Sequence, residues 1–492
     1  MRGVLVEAGF VAVFFAAVVV QLTSGGGAQL AGPVPFSTET MNDNEVERWM
    51  GIYVDTAKIG HSVHREESFE DGSVILRERT YIRLSAFGTE REIRLRVDAH
   101  LDAQSHLEEF EAHMFTEPIG VSASGKRVGD QMSVTVLSGD TVLKEMKLDP
   151  DAALPINLYP ELVAQNPEPG TVVRSTMFDP STLTIQPVSI RVMGWEQVPQ
   201  RTDQQGLHLQ TDILGSTTNT WVDKAGHAIR EEGLLGMVAI RESRNNALSR
   251  GWEGGMAPDI ISLSAVPVRG NLFDERPSKW MSARITGAPA IERFLGDQYG
   301  SRFENGVLTN EVVNLEAVED YLLPASDQQF AAYLVPEPLI EADDPKILDL
   351  ANDLARGDAE AILVAERLNS WVYHQIEKTP VFGIPGAKTT LEQRKGDCNE
   401  HTALFTAMAR AVGLPTRVAA GIVWTDGMLK GGAFYYHAWP EIWLGSWVPI
   451  DPTFNQFPAD PTHIRLVVGD LSAQTELVGV IGKLEVEVIE AQ

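Results

Sequence analysis

Between residues 44 and 255 hydrophobic and polar positions alternate with a period of two. Ile93, Leu95, Val97 and Ala99 interleave with Arg94, Arg96 and Asp98, and Phe110, Ala112 and Met114 with Glu109, Glu111 and His113. Such alternation predicts half-buried strands. Ser138-Gly139-Asp140 separates the runs 132–137 and 141–148, and Lys224-Ala225-Gly226 separates 220–222 from 228–231, as hairpin turns do. The stretch therefore reads as one large antiparallel β domain. Pro258, Pro267, Pro277 and Pro289 then punctuate short apolar runs, which predicts a linker and a small β-containing unit over 256–340. From residue 341 the period changes to that of helices. Asp343-Asp344-Pro345 marks a start, followed by Ile347, Leu350, Ala351 and Leu354, and beyond a Gly357-Asp358 break by Ala361, Val364, Leu368, Trp371, Val372 and Ile376. A third helical run, Ala403, Leu404, Ala407, Met408, Ala411 and Val412, stops at Gly413 and Pro415. Residues 483–489 alternate again as a final strand, so the fold class is α+β, with the helical domain spanning 341–492.

The first residues have a different texture. From Val4 to Leu22 the chain is almost wholly apolar, with Arg2 ahead and Glu7 the one charge within. This predicts a signal or membrane anchor over 1–24, read as uncleaved, with a Gly-rich tether over 25–43. The expected location is membrane-anchored or exported, on the periplasmic or extracytoplasmic side. Across 492 residues the formal net charge is −28, which excludes a nucleic-acid footprint. One cysteine excludes an intramolecular disulfide framework.

That cysteine, Cys398, stands at the mouth of the third helix, in Gly396-Asp397-Cys398-Asn399-Glu400-His401. Unpaired N–H groups and the positive end of the helix dipole favour a thiolate there. A nucleophile needs a base and the base an orienting partner. His437 lies in a predicted strand that Pro440 demotes to an edge or bulged one. Asp451 closes the next run, beyond a Leu444-Gly445-Ser446 turn, so two antiparallel strands would set His437 beside it. His401 reads as packing or support for the site, since Cys-x-x-His alone has too few ligands for zinc. Trp439, Trp443 and Trp447 read as core and cleft wall. Two motifs elsewhere are rejected. Gly120…Gly125-Lys126-Arg127 has phosphate-loop spacing but precedes a strand and lacks the Ser or Thr. His61 and His64 are three apart on a strand and face opposite sides.

Three segments together, Gly396–His401, His437-Ala438-Trp439-Pro440-Glu441 and Asp451-Pro452-Thr453, resemble in order and spacing the transglutaminase-like superfamily of papain-type cysteine enzymes. The resemblance covers about residues 390–463 and implies a papain-like transglutaminase core behind the β domain. It implies Cys398 as nucleophile, His437 as base and Asp451 as orienting residue, acting on protein or peptide amides through a thioester. Hydrolysis, as a peptidase or amidase, is the expected outcome, because nothing marks an amine-acceptor site; crosslinking acyl transfer and a catalytically idle envelope scaffold are the alternatives. Gln393 is the candidate second oxyanion donor, by its position upstream of the nucleophile in papain-like enzymes. No metal, calcium included, and no cofactor is expected. The expected partners are a protein or peptide substrate and a membrane through the N-terminal segment, with an envelope partner for the β domain left open. The opening Trp49–Val54 with Lys58-Ile59-Gly60 also resembles exported β-rich domains found ahead of such cores.

Overall fold

The computed structural model describes residues 45–492, except 87–88, 105, 117–118, 139–140, 149–158, 180–183, 202, 214–215, 250–257, 271–278, 288–294, 296–299, 338, 357–358, 380–385, 427–431, 470–476 and 478. The described chain divides into two compact units, one ending at Ile260 and the other beginning at Ile261. The expected anchor over 1–24 and tether over 25–43 lie outside the described residues. Among the described residues no helix is long and apolar enough to cross a membrane.

The first unit is antiparallel sheet. Its strands are β1 (Glu45–Val54), β2 (Ala57–Ser68), β3 (Val74–Ala86), β4 (Thr89–Leu101), β5 (Leu107–Thr116), β6 (Ile119–Val128), β7 (Gln131–Ser138), β8 (Thr141–Leu148), β9 (Val172–Asp179), β10 (Thr184–Gln197), β11 (Gln205–Ile213), β12 (Ser216–Val222), β13 (Ala228–Glu232) and β14 (Met237–Glu242). Consecutive strands pair within β1–β8 and within β9–β14, and β1 also pairs with β14, giving a 14-stranded order β8 to β1 then β14 to β9. Local hairpins thus build two runs that one long-range pairing joins. The period-two pattern is realised residue by residue. Ile93, Leu95, Val97 and Ala99 are buried, while Arg96 among them and Glu92 and His100 on either side are exposed and Arg94 and Asp98 half-buried. The helix α1 (Tyr159–Ala164) packs Tyr159 and Leu162 against Ile190 and Val192 of β10 and Leu207 and Leu209 of β11.

Lys224-Ala225-Gly226 makes the expected turn. Asp223 accepts from the Ala225 and His227 N–H groups at 2.9 and 3.0 Å, and Gly226 takes φ +87°, where a side chain would be strained. The other expected turn spans 139–140, outside the described residues; the flanking strands pair with Ser138 opposite Thr141. Lys126 lies within β6, between β5 and β7, so no helix follows the glycine-rich run. His61 pairs opposite Tyr81 and His64 opposite Glu78, on alternate faces of β2.

In the second unit the longer helices are α2 (Pro345–Ala355), α3 (Ala361–Gln375), α4 (Ala387–Gln393) and α5 (Cys398–Ala411). Asp344 caps α2 and Pro345 opens it, as the sequence predicts. The strands are β15 (Val268–Gly270), β16 (Trp280–Thr286), β17 (Ser301–Glu304), β18 (Val307–Glu311), β19 (Glu377–Lys378), β20 (Lys395–Gly396), β21 (Thr416–Thr425), β22 (Ala433–Trp443), β23 (Trp447–Pro449), β24 (Ile464–Val468) and β25 (Glu485–Ala491). They form a four-stranded sheet, β23-β22-β21-β24, a five-stranded sheet, β15-β25-β16-β18-β17, and the small pair β19-β20. Helix α5 is buried on every side, through Leu404, Phe405, Ala407, Met408 and Ala409 and through Glu400, Thr406 and Arg410 as well, more completely than its apolar stripe predicts. Its core includes Ile347 and Ala351 of α2 and Val364 and Leu368 of α3.

Two expectations change. The region read as a linker and separate small unit over 256–340 supplies strands that share a sheet with β25, within the same compact unit as the helices. Pairing between segments so far apart leaves no local signal. Strand β22 is interior, not an edge. Pro440 sits opposite Val418 of β21 and beyond the last β22–β23 pair, Glu441 with Pro449. On that side only its carbonyl is used, accepting from Ile450 N–H at 3.0 Å, so the missing N–H of proline is tolerated.

Candidate active site

Helix α5 begins at Cys398 because residues 396–400 close a capping box. The Asp397 side chain accepts from Asn399 N–H at 2.9 Å, and the Glu400 carboxylate accepts from Asp397 N–H at 2.8 Å. Gly396 permits it, since a Cβ there would lie 2.2 Å from the Glu400 Cβ. His401, fully buried, donates from Nδ1 to the Asp397 carbonyl at 2.6 Å, which is a supporting contact within the turn. One turn on, the Thr402 hydroxyl donates to the Ala438 carbonyl at 3.1 Å, tying α5 to β22 at the residue beside His437. The Ala438 backbone, beside His437, favours the ionised form of the Cys398 thiol.

The turn 444–446 folds β23 back on β22, with Trp443 opposite Trp447, and sets Asp451 beside His437. His437 Nε2 lies 2.7 Å from Asp451 Oδ2. The carboxylate only accepts, so the Nε2 proton is fixed and the Nδ1 lone pair is left for another partner. Asp451, fully buried, also accepts at Oδ1 from Thr453 and Phe454 N–H, at 2.6 and 3.1 Å. Phe454 and Trp439 flank the His437 ring, with centroids at 5.0 and 6.0 Å. Trp439 is wholly buried and Trp443 and Trp447 half-buried, in keeping with core and cleft wall.

A fourth group joins them that the sequence reading passed over. His463 Nε2 contacts the same Asp451 Oδ2 at 3.0 Å, and its Nδ1 lies 3.1 Å from the Asp460 carbonyl. The signal available was a second Asp-Pro-Thr, 460–462, ending on a histidine. A neighbouring support was also missed. Glu441, 0 % exposed, accepts from Arg417 at 2.7 Å and from Arg465 at 3.3 Å, joining β21, β22 and β24 by a buried ion cluster. Gln393 ends α4 with its side chain exposed, five residues ahead of Cys398. His437, Asp451 and His463 offer ligand atoms within 4.8 Å of one another, the one such metal-sized group among the described residues. Here those atoms are joined directly by the two hydrogen bonds at Oδ2.

The electrostatics depart from expectation at the sulfur. Cys398 retains partial exposure, yet burial of the thiol group raises its pKa well above the ordinary value, and the nearby Asp397, Glu400 and Asp451 carboxylates add to the rise. These outweigh the helix dipole, whose effect is modest. The thiol therefore rests protonated. Burial also raises the Asp397 carboxyl, with Glu400 beside it. At Asp451 burial alone would raise the carboxyl, but His437 and His463 hold it far below the usual carboxylate range. Burial would lower His463, but Asp451 and Asp460 together push it up to about 9.

That last shift predicts alkaline destabilisation. A histidine raised from its ordinary 6.5 to about 9 contributes stability fully present below 6.5 and lost as pH rises through 9. The contribution is about 3 kcal/mol. The lowered Asp451 works in reverse, contributing above the ordinary carboxylate value and losing it as pH falls toward its folded value. Both shifts share one hydrogen bond, so they are not summed. Urea unfolding at pH 6.5 and 9.5 should show the alkaline loss, and His463→Gln should abolish it; equal slopes in both proteins would contradict the assignment.

Residues 348–452 match the family model of the transglutaminase-like superfamily. They form a transglutaminase-like core. The matched span ends one residue past Asp451 and holds Cys398 and His437, so this core carries the grouped side chains described above, with His463 beyond it. A curated relative, a protein-glutamine gamma-glutamyltransferase of Pseudomonas aeruginosa, is 30% identical over 129 residues, 23% of this chain and 19% of its own. The chain thus spans about a fifth of that relative's length. Among solved structures, a β-barrel-like protein of a domain of unknown function from Brucella abortus aligns at 13% identity and TM-score 0.33, covering 40% of this chain and 95% of that one. A candidate cysteine protease from Cytophaga hutchinsonii aligns at 14% identity and TM-score 0.29, covering 44% and 88%.

Proposed function

We propose that the transglutaminase-like core is a cysteine enzyme acting on amide carbonyls of proteins or peptides, with Cys398 as nucleophile, His437 as base and Asp451 as its orienting partner. The observation that carries this reading is the 2.7 Å bond from His437 Nε2 to Asp451. It leaves the Nδ1 lone pair on the residue next to Ala438, whose backbone acts on the Cys398 thiol. Because the thiol rests protonated, the proton passes from sulfur to His437 Nδ1 as the S–C bond forms, rather than beforehand. Asp451 stabilises the imidazolium so produced. The tetrahedral intermediate collapses as His437 returns the proton to the leaving nitrogen, releasing ammonia or an amine and leaving a thioester.

Water then attacks with His437 again as base, giving a carboxylic acid and the free thiol. This makes the enzyme a peptidase or amidase. Transfer to a primary amine is the second reading, and the name of the Pseudomonas relative favours it. Incubation with a glutamine-containing peptide, with and without a primary amine, separates the two. Hydrolysis converts the peptide to the glutamate form at a rate the amine does not change, whereas transfer yields an amine-linked product and leaves little acid. Release of neither ammonia nor a new amine from a panel of peptides would count against the whole reading. We further propose that the chain works on the extracytoplasmic side of a membrane, where its first residues would hold it.

A further inference from the structure

Cys398, His437 and Asp451 suffice for the chemistry proposed above, which leaves His463 without a task. It is 1 % exposed, lies on the loop entering β24, and is held at both ring nitrogens. Nδ1 meets the Asp460 carbonyl at 3.1 Å, and Nε2 meets Asp451 Oδ2 at 3.0 Å. A carbonyl can only accept. The Asp451 carboxylate, taking bonds from two backbone N–H groups and from His437 as well, is ionised and can only accept too. Both nitrogens of His463 must therefore donate, and a ring with two N–H groups is an imidazolium. Asp460 supports it from behind, its carboxylate 3.4 Å from Nδ1 and fixed by Thr462 N–H at 2.8 Å and Gln456 at 2.6 Å. The elevated pKa of His463 agrees with this count of protons.

We infer that His463 is a positioning residue of this site, a standing imidazolium on the far side of Asp451 that fixes the carboxylate for His437. The inference rests on the reading of Cys398 and His437 given above. Its physical basis is that one oxygen, Asp451 Oδ2, serves two imidazoles whose ring centroids are 5.8 Å apart. A doubly donating His463 holds Oδ2 from one side while His437 takes it from the other, so the carboxylate is already located for His437. The charged and titratable groups facing the pair are Asp451 and Asp460 around His463, and Cys398, Asp397, Glu400 and His401 from the start of α5. The carboxylates of that helix start oppose a resting thiolate.

The test uses the full chain and its one cysteine. Alkylation by iodoacetamide, in which thiolate sulfur bonds to carbon and iodide leaves, is followed by intact mass from pH 5 to 10 in wild type, His463→Gln and His463→Leu. Glutamine can still donate to Asp451 but carries no charge. In wild type, labelling should climb only at alkaline pH. Amide turnover is read beside it. In His463→Gln a donor to Asp451 remains, so kcat should fall less than about tenfold at unchanged KM. In His463→Leu that donor is gone, and kcat should fall about a hundredfold while KM and the labelling of Cys398 stay as in wild type. A residue that merely packs would give the reverse order, since leucine fills the buried site without polar atoms. Wild-type kcat in His463→Leu would overturn the inference. Should the variants not fold, ¹⁵N-histidine spectra of wild type at pH 7 decide it: two N–H protons on His463 support the inference, and one overturns it. Wild type that never forms a thioester would sink the reading of the site instead, with the protonation of His463 still measurable.

Discussion

Cys398→Ala is expected to remove amide turnover, by about 10⁴-fold or more, while leaving thermal unfolding within a few degrees of wild type. The two halves of that expectation have separate causes. Alanine is the best helix former, and at the first position of α5 it keeps the backbone that the Asp397–Glu400 capping box secures. The lost atom is the sulfur, and nothing else in the group can take its place. His401 is committed to the Asp397 carbonyl, and the chain has no second cysteine. Parallel measurement of turnover and melting temperature checks both halves. Turnover above a tenth of wild type would transfer the chemistry to another residue.

Asp451→Asn should cost nearly as much in rate and, unlike the first variant, should cost stability as well. The amide is isosteric, and its oxygen can still accept from Thr453 and Phe454. Its NH₂ group, however, would face the Nε2 of both His437 and His463, placing donors against donors. One ring must turn or shift its proton. If His437 moves its proton to Nδ1, the lone pair that would take the thiol proton disappears, and a loss on the order of 10⁴-fold in kcat is expected. Removal of the anion also leaves the His463 cation buried with Asp460 as its remaining partner, a defect worth about 3 kcal/mol. The measurement is kcat together with urea unfolding at neutral pH. Retained kcat would show that Asp451 is structural only, and retained stability would show that His463 is uncharged.

Much of this architecture was legible in the residues. The alternation at 93–99 and the helical spacing at 403–412 report directly on which side chains meet the core, so the β unit and α5 could be read locally. The same holds for the turn that brings Asp451 to His437. What stayed hidden depends on distant pairing or on summed electrostatics. Helix α4 is short and carries two threonines, so its few apolar positions, Ala387 and Leu391, show too little period to separate it from a loop. The association of β16 with β25 has no local trace. His463 was masked by repetition, because Asp-Pro-Thr occurs twice and each copy builds the same aspartate-to-threonine N–H bond. The thiol was misjudged for a different reason. A dipole argument counts one favourable term, whereas folding brings burial and three carboxylates to the same sulfur.

The place of β25 bears on how the molecule is made. It lies between β15 and β16 in its sheet, so those two earlier strands wait for a neighbour encoded on the order of two hundred residues later. As the polypeptide leaves the ribosome N-terminus first, the β unit can complete its chain-neighbour hairpins early, whereas this second sheet closes only near the end of translation. Nascent chains halted before residue 485 should expose the apolar flanks of β16, Met281, Ala283 and Ile285, to chaperones, and proteases would find that half of the protein last to become resistant.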